Sequence, residues 1–317
     1  MEFYIILGVV LFIIFALFIG LIIAFNLTFY VGKRDVIDPD NLILPKGGNF
    51  ERFREDISNW IKENRSRDFK VYKIKSFDGL TLSSKYFEFN KDAPIEIIFG
   101  GYRGNSERDL SAAVERCFKV KHSVLMVDQR ASGDSDGKVT TFGVNESKDC
   151  LSWIDFVIKT FGENIKIVIG GVSLGGATVL SASDKVPSNV WYIIADCPFT
   201  SPKEIITKVI EKDMKLPSKL LYPLVKLSAK IFGKFDVEKT SPINSVKNAK
   251  APIIFIHGDK DEFVPYQMSV DLYNNCTSQK SLCLIENAEH GLGYPENPDK
   301  YVKSILEFEN FITKKSE

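Results

Sequence analysis

Histidine is scarce in this chain. His122, His257 and His290 are the only three in 317 residues, so any imidazole chemistry must use one of them. An excess of charge is also missing. The 41 Lys and Arg are balanced by 41 Asp and Glu, which argues against nucleic acid as a partner. The five cysteines, at 117, 150, 197, 276 and 283, are odd in number and fall in no paired spacing. That suits a reducing compartment better than a disulfide framework, with several of them reading as small core residues. No His-Glu-x-x-His occurs, and the cysteines and histidines do not cluster at zinc spacings, so no metal is expected. The run Asp259-Lys260-Asp261-Glu262 lacks the glycine and ligand spacing of a calcium loop. Gly133 to Val139 imitates a phosphate loop but fails on spacing, with valine where a magnesium-binding hydroxyl belongs.

Charge disappears altogether between Phe3 and Val31. As a helix this run is ~40 Å long, enough to cross a hydrocarbon core of ~30 Å. Only Glu2 precedes it, and Phe and Ile dominate its end, unlike the basic start and small-residue cleavage site of a signal peptide. An uncleaved transmembrane anchor over residues 1–31 is therefore expected, with a cleaved leader as the rival. Lys33 and Arg34 follow at once, which predicts a cytoplasmic position for the rest of the chain.

Residues 32–69 read as a juxtamembrane linker and an amphipathic helix. Pro45 and Gly47-Gly48 punctuate the linker. Phe50, Phe53, Ile57, Trp60 and Ile61 then recur at helical spacing, which suits packing on the main domain; a helix lying on a membrane is the alternative.

From residue 70 to 317 short β-rich runs alternate with helical stretches. The runs are 70–77, 81–89, 95–99, 123–128, 165–170, 190–195, 252–257 and 281–286, the first two split by the hairpin pair Asp78-Gly79. The later runs are almost continuously apolar, as in strands covered on both faces. The pattern predicts an α/β domain: a mostly parallel eight-stranded sheet with helices on both faces and an antiparallel edge. Residues 198–250 form a connection too long for a simple crossover and are expected to be a helical lid. In it Leu220, Leu224, Leu227 and Ile231 share one helical face, and Lys219, Lys226, Lys230 and Lys234 sit elsewhere around the helix. That apolar face could line an acyl pocket or pack on the core.

The segment Gly171-Val172-Ser173-Leu174-Gly175 sits between a buried-strand run and a helical run. This is the setting of a nucleophile elbow, where a serine on a strained turn projects above the carboxyl edge of a sheet. A serine hydroxyl needs a base. His290 follows the last strand in a polar loop and is the best placed of the three histidines. His257 reads as shaping the turn after its strand, and His122 as a surface residue. Asp261, just past a strand, is the expected acid, and Asp196, after the sixth strand, the runner-up. The order Ser173, Asp261, His290 matches one of the known triad arrangements and not the others.

On "GVSLGGA", "DQRASGDSDG" and this order of residues, the chain resembles the membrane-anchored bacterial serine hydrolases of the α/β-hydrolase superfamily. The resemblance implies two-step acyl transfer with no cofactor, on a small-molecule or lipid-like acyl substrate. Esterase or lipase action is the main expectation; peptidase, thioesterase or a non-catalytic binding module are the alternatives. It also implies that the N–H groups of Tyr102 and Leu174 hold the oxyanion, and that Asp128 is a hydrogen-bonding support. Family members usually carry His-Gly after the third strand, where this chain has Gly100-Gly101.

Overall fold

The computed structural model describes residues 1–32, 38, 40–45 and 47–314. It opens on α1 (Glu2–Thr28), a 27-residue helix long and apolar enough to cross a membrane. Most of α1 is exposed, but Leu21 and Phe25 near its end are buried. The chain then runs extended: Val31 N–H donates to the Lys138 carbonyl (2.8 Å), and Thr140 N–H to that of Phe29 (3.0 Å). Lys33 and Arg34, on which the expected orientation rests, lie outside the described residues.

A 3-10 turn over Gly48–Phe53 leads into α2 (Arg54–Ser66). Arg65, near the end of α2, donates to the carbonyls of Asp38 (2.6 Å) and Asn41 (3.2 Å) and pairs with Glu107 (2.7 Å). The linker is thereby strapped to the body.

The sheet begins with β1 (Lys70–Lys75) and β2 (Thr81–Phe87), an antiparallel pair. Next come β3 (Ile95–Phe99), the short helices α3 (Ser106–Asp109) and α4 (Ala113–Lys119), and β4 (Ser123–Val127). Helix α5 (Glu146–Phe161) precedes β5 (Ile167–Val172), and α6 (Leu174–Ala182) precedes β6 (Val190–Asp196). The long insertion holds α7 (Pro202–Lys208), α8 (Ser218–Ser228) and α9 (Pro242–Ser245). The chain finishes with β7 (Ile253–Gly258), α10 (Gln267–Asn275), β8 (Lys280–Ile285), α11 (Gly293–Glu296) and α12 (Pro298–Lys314). The strand order is β1-β2-β4-β3-β5-β6-β7-β8, parallel from β4 onward, as the run pattern predicts.

Alternation along each strand feeds two cores. Ile97, Ile169, Ile193 and Phe255 face Trp153, Val179, Leu180 and Leu272 on one side. On the other, Val168, Tyr192 and Ile254 face Tyr301, Ile305 and Phe308, while Ile98 and Val124 meet Val114 and Cys117. This is the α/β-hydrolase fold.

A further core joins the end of α1 to the insertion. Phe25 and Phe29 pack with Tyr222, Val225, Ala229 and Phe235. The Phe29 and Phe235 rings meet edge-on at 5.2 Å. This packing corrects the reading of α8. Its inward face is Tyr222, Val225 and Ser228, because the end of α1 occupies that side. Most of the apolar stripe points outward instead: Leu220 is 70% exposed, Leu227 45% and Ile231 49%, while Leu224 is half-buried. The outward part neither lines a pocket nor packs on the core.

Candidate active site

Ser173 is the junction of β5 and α6. Its backbone is at φ 58°, ψ −115°, a region a side-chain-bearing residue rarely visits. Its neighbours make the turn possible. A Cβ on Gly171 would lie 2.2 Å from the Gly175 carbonyl carbon, and one on Gly175 would lie 2.0 Å from the Phe99 carbonyl oxygen. Ser173 N–H donates to the Asp196 carbonyl (2.8 Å), which pins the strained residue to β6.

His290, in the loop after β8, places Nε2 2.9 Å from Ser173 Oγ and Nδ1 2.6 Å from Asp261 Oδ2. Asp261, in the loop after β7, also accepts the N–H groups of Phe263 (3.0 Å) and Val264 (2.8 Å) on Oδ1. Burial pushes its pKa up, but hydrogen bonds from His257 and His290 outweigh that and hold it at about 2. Asp261 is therefore a carboxylate and can only accept. Nδ1 of His290 must then carry the proton, which leaves the Nε2 lone pair facing the Ser173 hydroxyl.

His257 does more than shape a turn. Fully buried, it reaches both Asp261 Oδ2 (3.1 Å) and the Val264 carbonyl (2.8 Å) with Nε2, while Nδ1 meets Ser269 Oγ (2.6 Å). Both Nε2 partners only accept, so Nε2 carries a proton and steadies the carboxylate from behind. The four-residue spacing of His257 and Asp261 is the one clue to this in the sequence.

Asp196, the runner-up acid, does not meet His290; it accepts from the Tyr301 hydroxyl (2.9 Å). Burial pushes its pKa up. His122 is corrected outright: it is buried, with Nε2 3.1 Å from Glu309 and Nδ1 3.6 Å from Glu96. Those carboxylates come from distant strands and helices, so the residues flanking His122 give no hint of them.

Leu174 is the first residue of α6, so its N–H lies outside the intrahelical ladder. Tyr102 lies in the loop after β3. In that loop the Asp109 carboxylate accepts Gly101 N–H (3.2 Å) and Gln129 Nε2 donates to the Gly100 carbonyl (2.7 Å). Gln129 also accepts from Thr178 on α6 (3.0 Å), tying this loop to the elbow. Asp128 accepts N–H groups of Ser106 (2.8 Å) and Asp134 (3.0 Å), the supporting position expected of it. The end of α1 holds the loop from the other side. The Tyr102 hydroxyl donates to the Thr28 carbonyl (2.8 Å). Arg103 donates to the carbonyls of Asn26 (3.1 Å), Leu27 (3.1 Å) and Tyr30 (2.8 Å), which caps the helix where its carbonyls lack partners.

Ser173 and His290 open on a cavity of about 620 Å³. Its apolar wall includes Leu44, Pro45, Phe50, Ile57, Trp60 and Leu110. Arg116, Asp196 and Tyr301 add a polar end. The cover thus comes from the linker and α2, and no described residue of 198–250 lines the cavity. The insertion expected to be the lid is instead engaged with α1.

A metal is a poor fit to this cluster. Ligand atoms of Cys197, Asp261 and His290 lie within 4.8 Å of one another. However, both His290 nitrogens are already bonded, and burial pushes the Cys197 thiol well up, away from the thiolate a metal needs.

Comparison with known proteins agrees with this fold. The uncharacterized protein YqkD of Bacillus subtilis is 30% identical over 187 residues, 59% of this chain and 61% of its own. The chain thus spans about three fifths of that relative's length. The mitochondrial palmitoyl-protein thioesterase ABHD10 of Bos taurus is 25% identical over 229 residues, 65% of this chain and 69% of its own. The solved esterase Pf2001 of Pyrococcus furiosus superposes with a TM-score of 0.62 at 21% identity, covering 87% of this chain and 98% of that one. The family model of the prolyl oligopeptidases matches residues 139–315, more than half of the chain, and includes Ser173, Asp261 and His290. The chain is a hydrolase-fold protein that belongs to the prolyl oligopeptidase family.

Proposed function

We propose that this chain is a membrane-anchored serine hydrolase that cleaves an acyl ester or thioester, with α1 as its anchor and the catalytic part in the cytoplasm. The observation that carries the reading is the hydrogen-bonded line Ser173–His290–Asp261 opening on a largely apolar cavity. Ser173 Oγ attacks the substrate carbonyl carbon while His290 Nε2 takes its proton. Asp261 holds the imidazole and balances the charge it gains. The N–H groups of Tyr102 and Leu174 receive the oxyanion, a contribution of ~3–4 kcal/mol per donor in a well-studied case. His290 then hands the proton to the leaving alcohol or thiol, which departs and leaves an acyl-Ser173. Water, deprotonated by His290, attacks the acyl carbon, releases the acid and restores the serine.

Leu44, Phe50, Ile57 and Trp60 suit an acyl chain better than a polar peptide. The thioesterase name of one relative supports acyl chemistry. A peptidase is the second reading, favoured by the family match.

The test uses the full chain in lipid nanodiscs, because α1 shares a core with the domain. Fluorophosphonate labelling and p-nitrophenyl esters of graded acyl length are measured for wild type, Ser173→Ala, His290→Ala and Asp261→Asn. Labelling and ester turnover that vanish with Ser173 and fall steeply in the other two support the proposal. Labelling without ester turnover moves the assignment to peptides. Absence of labelling makes the chain a binding module and ends the hydrolase reading.

A further inference from the structure

We propose that the outward face of α8 and the turn after it lies in the boundary of the same bilayer that α1 crosses, so that the domain rests on the membrane through a second apolar surface. The inference rests on α1 being the anchor.

Leu220, Leu227 and Ile231 of the stripe are exposed, Leu224 among them is half-buried, and Met214 and Leu216, just before α8 in the chain, are also exposed. Its position relative to α1 names the occupant. A π-helical turn, Ala229–Gly233, continues α8 alongside α1. The Phe232 ring meets Phe25 at 5.6 Å and Phe18 at 6.1 Å. Gly233 lets the two segments close: a Cβ there would come within 3.2 Å of the Phe25 ring. Phe18 belongs to the exposed part of α1, and Phe25 to the buried part.

Depth follows from helix geometry. At 1.5 Å per residue α1 is ~40 Å long, about 10 Å more than a hydrocarbon core. The surplus falls at the carboxyl end, where Leu21 and Phe25 are buried by protein rather than offered to lipid. Phe232, bridging Phe18 and Phe25, therefore stands at the hydrocarbon edge. Ile231, its neighbour, and Leu227, one turn back, are exposed. Lys215, Lys219, Lys230 and Lys234 are exposed along the same segment, Lys230 pairing with Asp236 (3.6 Å), and long cationic side chains beside an apolar face suit contact with headgroup phosphates. Apolar tips beside exposed lysines, on a segment packed against the proposed anchor, match an interfacial helix.

The test is fluorescence quenching by brominated lipids. The full chain is reconstituted in phosphatidylcholine–phosphatidylglycerol vesicles carrying bromine either high or low on the acyl chain. Single substitutions Leu227→Trp and Ile231→Trp are compared with Leu11→Trp inside α1 and Val71→Trp on the exposed edge strand, each read as the increment over the three native tryptophans. The expected result is strong quenching of Leu11→Trp by deep bromines, quenching of Leu227→Trp and Ile231→Trp mainly by shallow bromines, and none for Val71→Trp. Quenching of Leu11→Trp with Leu227→Trp and Ile231→Trp matching Val71→Trp overturns the proposal while leaving the anchor intact. A blue-shifted but unquenched Leu227→Trp also overturns it and assigns the face to a second copy of the chain. An unquenched Leu11→Trp removes the anchor, and the proposal with it.

Discussion

Two histidine–carboxylate clusters lie within this domain, and only one of them faces an open cavity. His290 meets Asp261 from a loop at the carboxyl edge of the sheet, with its second nitrogen turned to Ser173 and the cavity. His122 meets Glu96 and Glu309 from the middle of the body: Glu96 lies within β3, Glu309 within α12, and Arg116 of α4 closes the cluster. The His122 side chain is 2% exposed and that of His290 20%. The residue types are nearly the same. What separates them is that one imidazole keeps a nitrogen aimed at the Ser173 hydroxyl beside a cavity, whereas the other is walled in by carboxylates on rigid elements. A histidine–carboxylate pair points to chemistry only when something reactive stands on the imidazole's far side.

The sharpest way to break this contrast is to remove the nucleophile. Ser173→Ala is expected to lower ester turnover by about 10⁴-fold or more and abolish fluorophosphonate labelling, with little change in the thermal midpoint. If labelling persists, the two clusters have been assigned to the wrong roles. The converse substitution targets the walled-in cluster. Glu96→Gln leaves the buried Arg116 without its counter-charge and is expected to cost about 3–5 kcal/mol of stability, seen in urea titration. Ser173 should still be labelled in the folded molecules, because Glu96 does not line the cavity, although its partner Arg116 does.

A third prediction concerns the loop beside the reactive cluster. Arg103→Ala removes three bonds to the end of α1 and is expected to lower kcat by about 10²-fold with KM nearly constant, since misplaced oxyanion donors act on the transition state. An Arg103→Lys variant that recovers part of kcat would mark the effect as positioning. A rise in KM alone would count against it.

The smallest effect is in pH dependence, where the clusters should show opposite slopes. Asp261 is depressed from 3.8 to about 2 in the folded state, so it contributes about 2 kcal/mol above pH 3.8, lost as pH falls through about 2. Burial alone would lower the His122 pKa, but Glu309 and Glu96 raise it above its ordinary value. Its contribution is present in full below pH 6.5 and is lost as pH rises through the raised value. Urea titrations of Asp261→Asn and His122→Asn across pH should each flatten one limb of the stability profile and leave the other.

Much of this architecture can be read from the residues alone. Segments such as Val124–Val127 and Ile253–Ile256 are unbroken apolar runs because both faces of the sheet are covered, so they are recognisable without knowledge of their neighbours. Ser173 is legible because the steric demands of its turn are written locally in Gly171 and Gly175. His122 is not, because Glu96 and Glu309 approach it from elsewhere in the chain and no local pattern announces them. The α8 stripe shows a different limit. Periodicity groups Leu220, Leu227 and Ile231 on one face but carries no information on what that face meets. The cavity's cover is hidden for the same reason: the spacing of Phe50, Ile57 and Trp60 fits any apolar surface, whether core, bilayer or ligand.

The grip of Tyr102 and Arg103 on the end of α1 bears on how the molecule is made. Synthesis delivers α1 first, while Phe142, Phe232 and Phe235, the rings that surround Phe25 and Phe29, are translated much later. For a helix that enters a bilayer as it emerges, lipid shelters those rings in the interval. On the proposed anchor reading, assembly would run outward from the membrane: the rest of the chain would condense onto a helix end already in place, and the last turns of α1 would pass from lipid to protein as the loop of Tyr102 and Arg103 closes around them.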